Sequence, residues 1–283
     1  MNDTAGNNHD SSFQVRIHGA RGSIPVSGAE FSAYGGNTVC IEMRCGDHTL
    51  IFDAGSGILP AGSALKSGDQ TTFNLFFSHS HYDHILGLPF FAPLFNVEAS
   101  ITLWSGHLYG EMTTEQMVYE FIRPPWFPIK PEVLNAEIGF RDFRPGTDLH
   151  PHADMVIKTG NLNHPGGAVG YRVEWGGRAV AIITDTEHTP GSLDTSVLQL
   201  IENCDLFLYD CQFLDAEMEK YQGYGHSTWQ QAVRLACESG AKTVGFIHHA
   251  PWRTDTDLDD FDHQAKAEFP KSFFARDGQV INV

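Results

Sequence analysis

Cationic side chains are scarce in this chain: 18 Lys and Arg stand against 35 Asp and Glu, a formal net charge of −17. Affinity for a long polyanion depends on Lys and Arg neutralising phosphates. A whole tRNA or a duplex would therefore meet repulsion over most of the surface, and no long nucleic-acid partner is expected. No run of about 18 apolar residues occurs, so no membrane-spanning helix is expected either. Residues 1–12 lack the basic start and apolar core of a secretory signal and read as a disordered tail ahead of a single domain over residues 13–283, with a cytoplasmic location. Cysteine is sparse: Cys40, Cys45, Cys204, Cys211 and Cys237 are odd in number and form no CxxC pair. That argues against a disulfide framework and for reduced, mostly buried thiols. Internal repeats and low-complexity segments are absent. What remains, 41% hydrophobic residues, is enough to bury a sizeable core.

One stretch concentrates the chemistry. Phe73, Leu75, Phe76 and Phe77 read as a buried strand that ends in His79-Ser80-His81-Tyr82-Asp83-His84, before an apolar segment opens with Ile85 and Leu86. His79 and His81, two apart in extended backbone, point to one side and can share an ion. Asp83 and His84 fall where the chain turns into a helix and can aim at a neighbouring position. Two sites so built form a two-metal clamp, with ions roughly 3.5–4 Å apart activating a water and stabilising a leaving oxygen. The plain alternative is a cluster of satisfied histidines in a turn.

The same strand-end pattern recurs. Strands are expected over residues 13–19, 38–44, 49–52, 101–104, 136–143, 154–159, 170–175, 178–184, 206–209 and 243–247, with an edge strand at 280–283. His164 follows the one at 154–159, Asp185 closes the one at 178–184, and His248 and His249 follow the one at 243–247. A carboxylate such as Asp185 can bridge two cations, which an imidazole cannot. Helices are expected over 112–122, 192–203 (capped by Ser192 or Asp194), from the opening stretch 225–228 through 239 (Ser227 or Thr228 as N-cap, Gly240 at C′) and over 255–269. Between Arg123 and Pro131 four prolines surround Trp126 and Phe127. Proline forbids a regular helix there and favours stiff, extended backbone. Such a loop suits stacking of a nucleobase over the metals or a dimer contact, with a satellite hydrophobic cluster as the bland reading.

The HxHxDH motif after an apolar strand resembles that of the metallo-β-lactamase fold superfamily, and the resemblance runs from Phe13 to the C-terminus. It implies an α/β, four-layer αββα sandwich with a dinuclear site at the sheet edges. Its pattern places His79, His81 and His164 on one divalent ion. Asp83, His84, His248 and the second oxygen of Asp185 fall on the other, with His249 the competitor to His248. Asp53, at the end of the 49–52 strand, would accept backbone hydrogen bonds beside the metal loop. Neutral imidazoles with a bridging carboxylate suit Zn2+, with Mn2+ or Fe as alternatives. An iron-using redox sister group carries Glu where His81 stands, which favours hydrolysis here.

Gly225-His226-Ser227-Thr228 together with Asp210 is similar to the acid and histidine pair of ribonuclease Z and its phosphodiesterase relatives, with Tyr209-Asp210-Cys211-Gln212 shortening the acid. The implied chemistry is conversion of a phosphodiester to a phosphomonoester. In it Asp83 accepts the nucleophile's hydrogen bond, Asp210 orients His226, and His226 protonates the departing oxygen. Ribonuclease Z carries a protruding tRNA arm between its third His and its bridging Asp; here a hairpin takes up that whole stretch. A small phosphodiester, most of all a cyclic nucleotide, is the expected substrate. In line with it, Gly22-Ser23-Ile24-Pro25, Tyr34-Gly35-Gly36-Asn37-Thr38 and Pro-Pro-Trp-Phe-Pro resemble a group of bacterial and phage proteins related to cyclic-nucleotide phosphodiesterases. Relatives are often homodimers, so a homodimer is expected. The competing readings are an RNA nuclease, another hydrolase of the fold acting on a β-lactam or thioester, and a metal-holding module without turnover.

Overall fold

The computed structural model describes residues 12–66 and 70–283; apart from Ser12, the tail expected over residues 1–12 lies outside the described residues. The chain runs β1 (Phe13–Gly19), β2 (Cys40–Cys45), β3 (His48–Phe52), α1 (Ile58–Lys66), β4 (Thr72–Phe77), α2 (Tyr82–Ile85), β5 (Ser100–Ser105), α3 (Thr114–Phe121) and β6 (Glu137–Asp142). It continues with β7 (Val156–Leu162), β8 (Ala168–Trp175), β9 (Arg178–Ile183), α4 (Thr195–Ile201), β10 (Leu206–Asp210), α5 (Met218–Tyr221) and α6 (Trp229–Ser239). Last come β11 (Val244–Ile247), α7 (Asp255–Glu268), β12 (Ser272–Phe274) and β13 (Val280–Asn282). One seven-stranded sheet has the order β13-β1-β2-β3-β4-β5-β6, and a six-stranded sheet has the order β12-β11-β10-β9-β8-β7.

Three apolar clusters give four layers. Val15, Ile17, Met43, Phe52 and Phe76 of the first sheet meet Tyr171, Val173, Ile182, Leu208 and Ile247 of the second in the central core. Residues of α4, α6 and α7 close the outer face of the second sheet, and α1 and α3 cover the first. This is the αββα sandwich expected from the sequence. Strands covered on both faces read as unbroken apolar runs rather than alternation: Phe73 to Phe77 are all buried, as is the whole of β10. Phe52 stacks on Phe76 within the first sheet at 5.1 Å, and Tyr171 of the second sheet meets Phe52 tilted at 5.3 Å and Phe76 edge-on at 5.8 Å, contacts worth about 0.5–1.5 kcal/mol each beyond their burial. The Tyr171 hydroxyl donates to the Phe77 carbonyl, tying the second sheet to the strand end that carries His79.

Strand direction places the site. β3 to β6 are mutually parallel, as are β9 to β12. β7 is antiparallel to β8 and β8 to β9, so β7 also runs with β9. The carboxyl ends of β4, β7, β9, β10 and β11 therefore share one rim, where ligands collect in sheets of this kind.

Caps set the helix bounds. Thr113 forms a capping box with Gln116, so α3 starts at Thr114 rather than at 112. Asp194 caps α4 and Thr228 caps α6, which stops at Gly240 in a left-handed conformation (φ 71°). Three elements were not expected, α1, the four-residue α5 and β12. In α1, Pro60, Gly62 and Ser63 weaken helix propensity, yet the buried Ile58, Ala61, Gly62 and Leu65 follow the helical period. β12 is only three residues long. The proline segment also differs from expectation: it folds into a turn, not an extended rod, with the Trp126 and Phe127 amides both donating to the Arg123 carbonyl. The cysteines are free, four buried and Cys237 exposed. Among the described residues no helix is long and apolar enough to cross a membrane.

Candidate metal centre

Each strand end on the shared rim delivers one side chain to a common point: His79 beyond β4, His164 beyond β7, Asp185 beyond β9, Asp210 at the end of β10 and His248 beyond β11. The turns that aim them are costly. Asp185 and His248 adopt φ of 48° and 61°, as do Asp53 (60°) and Ser23 (66°) beside them. Left-handed backbone at a non-glycine residue costs of order 1–3 kcal/mol and persists only where surrounding contacts enforce it.

Asp185 is the hub. Its Oδ1 lies 3.1 Å from His84 Nε2, and its Oδ2 lies 3.3 Å from His248 Nε2, 3.7 Å from His79 Nε2 and 3.8 Å from His164 Nε2. Asp83 Oδ2 is 3.1 Å from His248 Nε2 and 3.3 Å from His84 Nε2. On the other side His164 Nε2 is 3.0 Å from His81 Nδ1. The donor atoms form overlapping groups, among them His79 with His81 and His164, and Asp83 with His84 and His248; Asp185 groups with His79 and His84 and with His164 and His226, and His226 also groups with Asp210 and His248. Of the two neighbours after β11, His248 joins the cluster; the His249 Nε2 donates to the Ala275 carbonyl instead.

Outer hydrogen bonds fix which ring nitrogens carry lone pairs. The Ser78 amide and hydroxyl donate to Asp53, so the Ser78 oxygen accepts from His79 Nδ1–H. His84 Nδ1–H donates to Asp53 at 2.9 Å and His164 Nδ1–H to the Gly225 carbonyl at 2.8 Å. It is therefore the Nε2 atoms that face one another and the carboxylates, as lone pairs in His79 and His164 and, in His84, holding a proton that a metal would displace. His79 Nε2 is buried with no hydrogen-bond partner. Such an arrangement is repulsive on its own and fits a cation. Ligand atoms about 2.1 Å from a tetrahedral ion stand roughly 3.4 Å apart, which the 3.0–3.8 Å separations match.

The electrostatics agree. Burial raises the Asp83 and Asp185 carboxyls, but the surrounding imidazoles prevail and hold both well below the usual range. Burial pushes His79, His81 and His164 down, toward the neutral form that a metal requires. For His84 and His248 burial is outweighed by Asp185 and Asp83; His84 rises well above its ordinary value and His248 to about 9. Cations are drawn to that half of the site.

Asp210 and His226 stand at the cluster's edge. His226 Nδ1–H donates to Asp210 Oδ2 at 2.9 Å, and the amides of Thr186 and Gln212 donate to the same carboxylate. His226 lines a cavity of about 530 Å³ together with Ser23, His81, Asp83, Asp185 and His248. A second, more apolar recess of about 630 Å³ adjoins it across Ser80 and Tyr82 and reaches Leu108, Met112 and Trp126. Here the sequence expectation needs correcting: Trp126 faces this recess, but Phe127 does not. Adjacent residues in the Arg123 turn diverge, and Phe127 packs edge-on against Phe90 and the apolar cluster under the first sheet.

Sequence reasoning also missed the first turn's contribution. The Ser23 amide donates to Asp83 Oδ2 at 2.7 Å, and Gly22 lies against His248, where an added Cβ would fall 2.1 Å from Nδ1. Gly22→Ala is expected to displace that ring and weaken metal affinity about 10- to 100-fold, the usual cost of disturbing an outer contact. Metal titration beside an unchanged circular dichroism spectrum checks this.

A family profile described as Beta-lactamase superfamily domain matches residues 48–249. Ribonuclease Z of Lactobacillus helveticus is 25% identical over 254 residues, 74% of this chain and 79% of its own length. YhfI of Bacillus subtilis, a metallo-beta-lactamase fold protein, superposes with a TM-score of 0.70 at 20% identity, over 96% of this chain and all of its own. A diphosphatase from the PhnP family superposes with a TM-score of 0.68 at 16% identity, over 96% of this chain and 97% of its own. At these identities the structural likenesses speak for the fold.

Proposed function

This chain belongs to the beta-lactamase superfamily, on the ribonuclease Z side of the metallo-β-lactamase fold, and is a hydrolase; from that premise we propose a two-metal phosphodiesterase that cleaves a cyclic nucleotide to a phosphomonoester. The observation that carries this reading is the Asp210–His226 pair beside the double donor set, 2.9 Å apart and open to the same cavity as Asp83 and Asp185. A β-lactam or thioester hydrolase has no need of a second, carboxylate-held imidazole at that place.

His79, His81 and His164 would hold one ion, Asp83, His84 and His248 the other, with Asp185 between them; Zn2+ suits these donors, and Mn2+ or Fe are the alternatives. Two such ions, when bound, lower the pKa of a water toward about 7 and offset charge developing on phosphate oxygens. The protein's own side chains do the rest. The Ser23 amide holds Asp83 Oδ2, which leaves Oδ1 to accept a hydrogen bond from the attacking water and orient it. His226 acts in its imidazolium form: Nδ1–H stays on Asp210, and the second proton, on Nε2, passes to the departing oxygen.

Size and charge support a small substrate. A cavity of about 530 Å³ falls within the roughly 300–1,000 Å³ of small-molecule sites. Between His164 and Asp185 the chain is occupied by β8, the Gly176-Gly177 turn and β9, so no arm for a large RNA emerges there, and the charge of −17 repels one. Cleavage of RNA is the second reading, because the curated relatives are ribonucleases Z. Metal-loaded protein is to be assayed on bis-(p-nitrophenyl) phosphate, on 3′,5′- and 2′,3′-cyclic nucleotides and on a 3′-extended precursor tRNA. Turnover of a cyclic nucleotide in preference to the RNA is expected. Preference for the RNA, or no phosphodiester cleaved at all, overturns the proposal. The homodimer belongs to the same reading, with Tyr82, Met112 and Trp126 exposed around the recess where a second copy's loop would close; sedimentation velocity tests it.

A further inference from the structure

Between the two cavities sits a residue with no part so far. Ser80 lines both the metal cavity and the apolar recess, and its hydroxyl is 3.0 Å from Nε2 of His107. His107 Nδ1 lies 3.1 Å from the hydroxyl of Ser105, the buried last residue of β5. Burial, helped by His81, lowers His107 to about 4, so the ring is neutral. A neutral imidazole between two hydroxyls donates to one and accepts from the other, so it takes up one hydrogen-bonding direction of Ser80 and leaves the remainder for the cavities.

Resting on the phosphodiesterase reading above, we propose that Ser80, held in orientation by His107, recognises a free hydroxyl on the organic arm of the substrate, beside its phosphate. The placement argues for it. Ser80 lines the metal cavity together with His81, Asp83 and Asp185, so it borders the phosphate position. Beyond it Ile85, Leu108, Met112, Phe121 and Trp126 offer apolar surface for a flat ring. What lies between phosphate and ring in a cyclic nucleotide is the sugar. A hydroxyl both donates and accepts, so it complements Ser80 whichever way His107 is protonated. The substrate class is therefore a ribo- rather than a deoxyribonucleotide, with His107 a positioning residue.

The test compares a 3′,5′-cyclic ribonucleotide, whose 2′-hydroxyl is free, with its 2′-deoxy analogue. Wild type is expected to prefer the ribo form about tenfold in kcat/KM, the scale of one hydrogen bond, expressed in KM. Ser80→Ala and His107→Phe should each bring that ratio close to one, and the double variant should go no further, because the two act as one unit. Binding of the matching nucleoside monophosphates, followed by tryptophan fluorescence, should show the same loss without turnover. Ser80→Thr, which keeps the hydroxyl, should retain the preference. A ratio unchanged in both single variants, or equal losses of kcat on both substrates, overturns this inference alone. Failure of wild type to cleave either nucleotide while it cleaves bis-(p-nitrophenyl) phosphate overturns the cyclic-nucleotide reading and this inference with it.

Discussion

Asp185→Asn is expected to lose at least one of two bound metals per chain and about three orders of magnitude or more in kcat, since a catalytic metal supplies several kcal/mol. The change keeps the shape of the side chain and removes its charge. Among the described residues Asp185 is the one carboxylate that faces both donor subsets, within 3.8 Å of His79, His84, His164 and His248, so no second carboxylate there stands ready to compensate. An amide offers one neutral oxygen to cations that a shared carboxylate would hold together. Elemental analysis after reconstitution, beside an unaltered circular dichroism spectrum, reads the result. Two metals retained at wild-type affinity would remove Asp185 from the centre of the site. The pH dependence has a defined sign. His248 is raised to about 9 by Asp185 and Asp83 against its burial, so a metal must displace a proton from it. Apparent affinity in the wild type should climb with pH up to about 9 and fall as acid is added.

Most of this centre is legible in the sequence because a parallel sheet turns strand ends into neighbours. His79, His164, Asp185 and His248 each follow an apolar run, and once those runs are strands with a common rim their convergence follows. Asp53 is legible for the same reason, and its bonds to Ser78 and His84 make it the support of His84 directly and of His79 through Ser78. His107 carries the same signal, since it follows β5 by two residues, but a single imidazole without partners in sequence cannot announce a contact with Ser80. Ser23 is harder still. Its role lies in a backbone amide and a left-handed φ, features a Gly-Ser pair permits without specifying. Phe127 shows the opposite error: two adjacent aromatics read as one surface, whereas a turn sends them apart. α1 escaped because its propensity is poor and packing beneath the first sheet supplies what its own sequence lacks.

His226→Ala is expected to lower kcat on a cyclic nucleotide about 10²- to 10⁴-fold, the range for removal of a general acid, while metal content stays at the wild-type level. Metal retention follows from the geometry. His226 spends Nδ1 on Asp210, 2.9 Å away, and stands 3.8 Å from Asp185 Oδ2, so its removal leaves His79, His81, His164, Asp83, His84, Asp185 and His248 in place. The leaving group provides the sharper discrimination. An alkoxide needs a proton as it departs, whereas p-nitrophenolate is stable without one, so the same variant should lose much less on bis-(p-nitrophenyl) phosphate. Asp210→Asn should fall between wild type and His226→Ala, because the amide still meets the ring but no longer accepts from Nδ1 as a carboxylate does. If His226 were instead a metal ligand, both substrates would suffer alike and the metal count would drop. If it only shaped the pocket, KM would rise and kcat would hold. A loss confined to kcat, steep for the poor leaving group and shallow for the good one, is the pattern that a proton delivered from Nε2 requires.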